Sequence, residues 1–459
     1  MIRQWDALVV GAGPAGLRAA SVIAEAGLEV VLVDEQAGPG GQIYRHVTAP
    51  GAQGRFPDPA DFRDGTAAVR RFERSGAHYL SESTVWFLEP GRALVSRGDE
   101  TLDLRARNLI VAAGAMERPV PFRGWTLPGV MTAGAADILL KTADVAPQAP
   151  VALAGSGPLL YLAASHLIKR GVPLAAVLDQ TPPRNVLRAL PHLPAGLLGL
   201  PLLLRGASMM LATLRGAPVH RNVGRIEARG EGHVEEIVFT AGKETRNVRA
   251  STLLYHGGVI PRTHMASALG LDQRWDARQQ CWTVASDALG RTSREGVYVA
   301  GDCARVRGAA VAALTGELAG LAVAERQGAL GTRESRRRQR LLLRTLAVQT
   351  ASKIFLDAWF SPRPDLYAVP DDVVVCRCEN VRAADIREAV AEGLEEVNEV
   401  KLRTRAGMGN CQGRTCGPAL AAIVAAAARR PLPDVGRLSV RAPLRPVPLE
   451  ALRRLLEKK

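Results

Sequence analysis

Asp6-Ala-Leu-Val-Val-Gly11-Ala-Gly13-Pro14-Ala15-Gly16 is an apolar run that breaks into glycines at Gly-x-Gly-x-x-Gly spacing. Ala7–Val10 reads as a buried strand, the helix after the glycines reaches about Ala26, and Glu29–Asp34 reads as the next strand. That is a strand–helix–strand unit of about 30 residues. Gly11 permits a tight turn, Gly13 lets backbone approach a pyrophosphate, and Gly16 lets the helix pack against the strand. The helix start at Pro14 and Ala15 then points its amides at negative charge. Asp34, ending the second strand beside Glu35, is placed to accept hydrogen bonds from ribose hydroxyls. An isolated glycine string is a weak signal; the flanking strand and the carboxylate make it a strong one.

The pattern recurs along the chain. A strand at Leu109–Ala113 ends at Gly114, and Val151–Ala154 opens a second turn, Gly155-Ser-Gly157-Pro-Leu-Leu160, followed by a helix and a strand, Leu174–Asp179. Later, Gly296-Val-Tyr-Val-Ala-Gly301-Asp302 reads as strand then turn, before an Ala-rich helix at Ala309–Gln327. This order predicts an α/β protein with two Rossmann-like dinucleotide-binding domains. The first is discontinuous, 1–115 and 290–330, wrapped around an inserted domain at 116–289. A carboxylate such as Asp302, after a strand and before a helix aimed at the same cofactor, suits a hydroxyl-rich ribityl chain. FAD has one and nicotinamide dinucleotides do not, so FAD is favoured. The Gly40-Gly41-Gln42 turn fits close passage of backbone past that cofactor.

Beyond a helical linker at 331–370 lies a small helical domain at 371–430, then a Pro/Arg-rich tail, 431–459, with a short helix at Leu449–Leu456. The small domain holds Cys376-Arg-Cys378 and Cys411-Gln-Gly-Arg-Thr-Cys416. Four thiols in two short pairs suit an iron–sulfur cluster. Structural zinc prefers two-residue gaps and fits gaps of one and four poorly, though zinc and plain buried cysteines stay open as alternatives. Helices starting near Ala383 and Pro418, each after a cysteine pair, would offset part of a cluster's negative charge.

Six cysteines in 459 residues make no disulfide framework. The net charge is +14, and residues 331–459 carry 24 Lys/Arg against 15 Asp/Glu. Aromatics are only 4%, and no nucleic-acid-binding module is visible. Arginine-rich usage without a partner is the first reading and an acidic partner subunit the second; nucleic acid is not expected. Leu193–Leu204 is too short to span a bilayer, holds Pro194 and Pro201 and ends at Arg205. It reads as a core or partner-docking segment, so no transmembrane segment is expected. The first strand begins almost at the first residue, leaving no room for a secretory signal. The expectation is cytoplasmic, free or peripheral to the inner membrane face.

Through Gly11–Gly16, Asp34, Leu109–Gly114, Gly155–Gly157, Gly257-Gly258-x-x-Pro261 and Gly301-Asp302, residues 1–330 resemble the pyridine nucleotide–disulfide oxidoreductases. The resemblance implies FAD contacts at Gly11, Gly13, Pro14, Ala15, Gly16, Asp34, Glu35, Gly41, Gln42, Ala113, Gly114, Gly301 and Asp302. Two departures matter. No redox cysteine pair lies in residues 1–330, where Cys281 and Cys303 are the only cysteines, so disulfide reductase activity is not expected. Leu160 replaces the third glycine of the second motif, which argues against a working NAD(P)H site. The cysteine segment resembles the 2Fe–2S domain of bacterioferritin-associated ferredoxin, with Cys376, Cys378, Cys411 and Cys416 as the implied ligands.

Nearly the whole chain, including Gly40–Arg45 and the tail Arg445-Pro-Val-Pro448, resembles the FAD-containing subunits of heteromeric dye-linked amine dehydrogenases. That group includes opine oxidases, hydroxyproline or proline dehydrogenases and hydrogen cyanide synthase. The resemblance implies a flavoprotein partner like D-amino-acid oxidase or sarcosine oxidase, a further small ferredoxin-like subunit, and a quinone or dye as acceptor. No general base is identified: His46, His256 and Tyr44 could border a flavin or simply pack. The competing readings are a self-sufficient NAD(P)H-dependent reductase using its own cluster, and a non-catalytic scaffold that keeps the fold without the flavin.

Overall fold

Ala7–Val10 lies at the centre of a seven-stranded sheet in the computed structural model, which describes residues 3–457. The ends of the expected first and last segments, residues 1–2 and 458–459, lie outside the described residues. Strand Gln4–Val10 runs parallel to Val30–Val33 on one side and to Glu100–Val111 on the other. His78–Leu80 and Val297–Val299 extend the parallel part, so residues near 300 rejoin the sheet that residues near 5 began. Thr84–Glu89 and Arg92–Arg97 add an antiparallel meander to it. Ala7, Val9, Val31 and Leu32 are fully buried, as strands covered on both faces must be.

Helices Pro14–Glu25 and Ala309–Arg326 lie tightly together over this sheet. Glycine makes the approach possible: a Cβ on Gly316 would stand 2.0 Å from the Ala15 carbonyl oxygen. The same contact brings the Gly301–Asp302 turn beside the first glycine turn, where a Gly301 Cβ would meet Ala15 at 2.8 Å.

A second sheet, wholly parallel, has the order Val219–Arg221, Leu174–Asp179, Val151–Gly155, Thr252–His256, Val130–Thr132. The paired strands Ala115–Glu117 and Val259–Pro261 carry the chain into and out of it. Helix Thr332–Trp359, 28 residues long, packs Leu346 on Val311 and Leu318, and Phe355 and Ala358 on Ala189. Leu193–Leu204 becomes helix Leu193–Leu197 and the start of helix Leu200–Gly216. Most of its leucines face solvent, so it is not core.

The cysteine domain has its own core, built on Val375, Ile386, Val397, Leu420 and Val424. Helices Ala383–Ala391 and Gly417–Ala428 start where sequence places them. Between them lies a third helix, Val397–Thr404, that sequence reading did not foresee. Its first turn is held by Glu399, which accepts the Glu396 N–H at 3.1 Å, a box opened by glutamate rather than the usual serine or threonine.

Replacing Gly316 by valine should cost about 2–3 kcal/mol, because the two helices cannot part without losing their shared core. Chemical denaturation would show it as an earlier midpoint, with reduced flavin content; an unchanged midpoint would contradict the close packing.

Candidate functional site

The first glycine turn forms as expected. The Gly11 N–H donates to the Val33 carbonyl at 2.8 Å, and helix Pro14–Glu25 begins directly after Gly13. Gly41 folds over it with φ +62°, and a Cβ there would run 2.7 Å from the Gly13 Cα. The passage between them is therefore bare backbone, a cradle that any side chain would fill. Asp34 is half-buried; its Oδ2 accepts the Ala12 N–H at 2.6 Å and its Oδ1 the Gln36 N–H at 2.8 Å. Burial raises its carboxyl above the usual range, opposed by those two N–H groups.

Asp302 is raised in the same way by burial. Its Oδ1 accepts the Arg307 and Gly308 N–H groups at 2.8 and 3.1 Å, while the Gly301 N–H donates to Thr315 Oγ1 at 2.9 Å. A cavity of about 390 Å³ opens beside this turn, lined among others by Gly301, Asp302, Arg305, Arg307 and Thr315. Gln42 is exposed, the Gly114 carbonyl accepts the Arg262 N–H, and Ala113 lies on the edge of the neighbouring core. The Glu35 carboxylate pairs with Arg445 at 2.9 Å.

The second glycine turn is filled from within. Asp179, the carboxylate a ribose would use, accepts Tyr161 O–H on Oδ2 at 2.6 Å and Thr181 N–H on Oδ1 at 2.8 Å. Ser156 and Thr181 hydroxyls bond across the turn at 2.8 Å. The buried His256 ring sits over Gly157, 3.0 Å from where a Cβ would lie, and its Nδ1 is 2.6 Å from Glu117 Oε1. Glu117 Oε2 in turn accepts the Gly134 N–H at 2.7 Å. Leu160 is fully buried. Burial, and then the neighbouring Asp179, push the Tyr161 hydroxyl far up, so it remains a proton donor.

Among the other candidates, Tyr44 packs its ring against Gly65. His46 adopts φ +56°, and Cys303 is buried with its thiol 3.1 Å from the Val111 carbonyl oxygen. Burial pushes both Cys281 and Cys303 up to about 11, which leaves them unreactive thiols at neutral pH.

The four C-terminal thiols are neighbours in a chain: Cys376 lies beside Cys416, Cys416 beside Cys411, and Cys411 beside Cys378. Contact with the Cys416 thiol lowers Cys376 to about 6 and Cys411 to about 4, while Cys416 itself is driven up. Among the described residues, no three ligand-type side chains gather around one point in the manner of a single-ion site. Cys376 and Cys416 are buried and Cys378 is exposed, so one edge of the thiol group opens to solvent.

Several residues that sequence reading missed hold this domain in place. Trp125 donates its indole N–H to the Val374 carbonyl at 2.8 Å, with the Arg377 guanidinium 5.5 Å from its ring, and Arg123 pairs with Asp372 at 3.0 Å. On the other side, Gln412 donates to the Pro443 carbonyl at 2.5 Å and Arg414 to the Leu444 carbonyl at 2.8 Å. Arg445 then reaches Glu35, next to Asp34. His264 Nε2 lies 3.3 Å from the Gln412 carbonyl, and burial, then Arg414, push His264 down to about 4. None of these pairs has a local sequence signature.

The residues fit two redox groups: a backbone cradle with a carboxylate at each end for FAD, and four thiols neighbouring one another in turn for a cluster. Residues 5–328 match the family model for pyridine nucleotide-disulphide oxidoreductases, and residues 374–426 match that for the BFD-like 2Fe-2S binding domain. Fold and site thus define a flavin- and iron–sulfur-dependent oxidoreductase, with FAD and a 2Fe–2S cluster as its cofactors. The chain belongs to the pyridine nucleotide-disulphide oxidoreductase family, and within it to the group of the opine oxidase A subunits. It is 38% identical to the opine oxidase A subunit of Agrobacterium tumefaciens, over 98% of this chain and 92% of that protein. It is 32% identical to the HcnB subunit of hydrogen cyanide synthase from Pseudomonas aeruginosa, over 98% of each. The L-proline dehydrogenase structure from P. horikoshii shares the fold, with a TM-score of 0.74 at 19% identity, over 98% of this chain and 79% of that one.

Tyr161→Phe should destabilise the protein by about 1–2 kcal/mol, because it leaves the Asp179 carboxylate short of a partner. Urea denaturation measures this; a neutral substitution would show that Asp179 does not depend on the tyrosine.

Proposed function

We propose that this chain is the electron-transfer subunit of a multi-subunit dehydrogenase acting on an amino acid or amine of the opine, hydroxyproline or proline type. A separate flavoprotein subunit, like D-amino-acid or sarcosine oxidase, oxidises the C–N bond, and this chain relays the electrons to a quinone or dye. A small ferredoxin-like subunit completes the complex. The named relatives are subunits of an opine oxidase and of hydrogen cyanide synthase, which supports a heteromeric assembly. The observation that carries the reading is the chain of four thiols, clamped between the second dinucleotide domain, through Trp125, and the first, through the tail.

In this reading 1–115 with 290–330 is the FAD domain, 116–289 a degenerate nucleotide domain, 331–370 a helical connection, 371–430 the cluster domain and 431–459 the tail. Gly11, Gly13, Pro14, Ala15 and Gly16 present amides and bare backbone to the pyrophosphate, with Gly41, Gln42, Ala113 and Gly114 alongside. Asp34 and Glu35 serve the ribose end, and Gly301 and Asp302 the ribityl end. Cys376, Cys378, Cys411 and Cys416 are the cluster ligands. Bound there, the two groups supply the exchange between two-electron and one-electron chemistry. The protein's part is to hold them apart at fixed distance, to shield the buried thiols from water, and to leave the Cys378 edge exposed.

The filled second turn counts against the NAD(P)H-reductase reading: the Tyr161 hydroxyl bonds Asp179 and the His256 ring lies over Gly157, whereas Asp34 in the first turn is met by backbone N–H groups. Stopped-flow absorbance under anaerobic conditions tests the proposal. Proline- or opine-type substrates should bleach the flavin of this chain only when the partner subunit is present, and NADH should not bleach it. Rapid bleaching by NADH, or full amine oxidation by this chain alone, would contradict it. Cys411→Ser should keep flavin bound while dye reduction by the assembled complex falls at least about 100-fold, the outer range for loss of a metal-site ligand or partner.

A further inference from the structure

We infer that the leucine-covered helices between Arg184 and Gly216 form a docking face for an anionic lipid bilayer. The segment connects strands Leu174–Asp179 and Val219–Arg221 of the second sheet as three helices, Arg184–Ala189, Leu193–Leu197 and Leu200–Gly216. Its inner side is already used. Ala189 and Leu203 pack on Phe355 and Ala358, Gly196 meets the Phe355 side chain, and Gly216 meets Ile168. Its outer side carries Leu187, Leu197, Leu198 and Leu204 at 69, 54, 59 and 61% exposure. Side chains of that size left in water on three consecutive helices mark a surface that is covered in use.

Charge selects the occupant. From Arg184 to Gly216 there are four arginines, no aspartate or glutamate and no aromatic residue. Arg205 is bonded to Asp58, while Arg184, Arg188 and Arg215 are exposed. The helix Thr332–Trp359 meets this segment through Ser352, Phe355 and Ala358, so the arginines at its start, Arg333 to Arg340, lie about 18 Å or more along the helix and do not belong to the face. Protein interfaces are anchored chiefly by aromatic residues, which this segment lacks although it holds Met209 and Met210, and leucine is under-represented among their hot spots. Leucine-rich helices flanked by unbalanced arginine match the boundary of a bilayer, where acyl chains cover the leucines and anionic headgroups meet the guanidiniums. Pro191, Pro194 and Pro201 keep these helices short, and no helix among the described residues is long and apolar enough to cross a membrane. The face therefore lies on the bilayer rather than in it. This inference stands apart from the relay reading, although a lipid-soluble quinone would be met at the same surface.

Sedimentation of the full-length, flavin-loaded protein with sucrose-filled vesicles tests it. The protein should pellet with phosphatidylglycerol/phosphatidylethanolamine vesicles, and at least about tenfold less with pure phosphatidylcholine or in high salt. The double variant Leu197→Glu, Leu198→Glu should lose binding by a similar factor while keeping its flavin content and unfolding midpoint. Three results overturn the inference: no pelleting of the wild type, equal pelleting of the variant, or loss of partner-subunit binding in the variant when the wild type ignores vesicles. The last would assign the face to a protein.

Discussion

Arg445 reaches Glu35 across 410 residues of chain, and that ion pair is the end of a strap on which the arrangement of the two cofactor sites depends. The strap begins at the cysteine loop, where Gln412 and Arg414 bond the carbonyls of Pro443 and Leu444. Leu444 then fixes itself to the first domain through the Trp86 carbonyl and its burial beside Val85 and Val95. An exposed ion pair of this kind contributes little stability by itself, about 0–1 kcal/mol. Its importance is geometric: with Trp125 on the opposite side, it ties the cysteine domain to both dinucleotide domains. For the relay proposed above, these ties would limit the separation of the two groups.

The second dinucleotide domain has its glycine turn occupied by the chain's own side chains. Its sheet and its first two glycines are intact, yet the space a nicotinamide dinucleotide would occupy is met by Tyr161, Thr181 and His256. Ser156, Tyr161, Asp179, Thr181 and His256 each have a partner within the chain there. The domain still serves as the platform for Trp125 and Arg123, the two residues that seat the cysteine domain from its side.

Much of this was legible in the sequence because it rests on local pattern. The strand–glycine–helix unit at Asp6–Gly16 and the return of Val297–Val299 to the first sheet follow from apolar runs of strand length bounded by glycine. Cys376, Cys378, Cys411 and Cys416 declare themselves by spacing, and helix starts at Ala383 and near Pro418 follow from the residues around them. Leu160 marks in the sequence a departure from the glycine motif, but not which side chains meet at the second turn. Tyr161 bonding Asp179, His256 lying over Gly157, and Arg445 finding Glu35 depend on which distant segments meet, and no local propensity encodes that. The leucines of 193–204 were ambiguous for the same reason: an apolar run looks alike whether a neighbouring helix covers it or solvent does. The helix Val397–Thr404 escaped notice because its first turn is closed by two glutamates, Glu396 and Glu399.

A sulfur-bound iron cluster wired to a flavin within one polypeptide is what every functional step above requires. Metal and acid-labile sulfide analysis of anaerobically purified protein, read with the electron paramagnetic resonance spectrum after dithionite reduction, looks for that pair directly. Iron and sulfide should be present in equal amounts, with a rhombic signal from a reduced 2Fe–2S centre. Zinc in place of iron, or flavin with no iron at all, would contradict it.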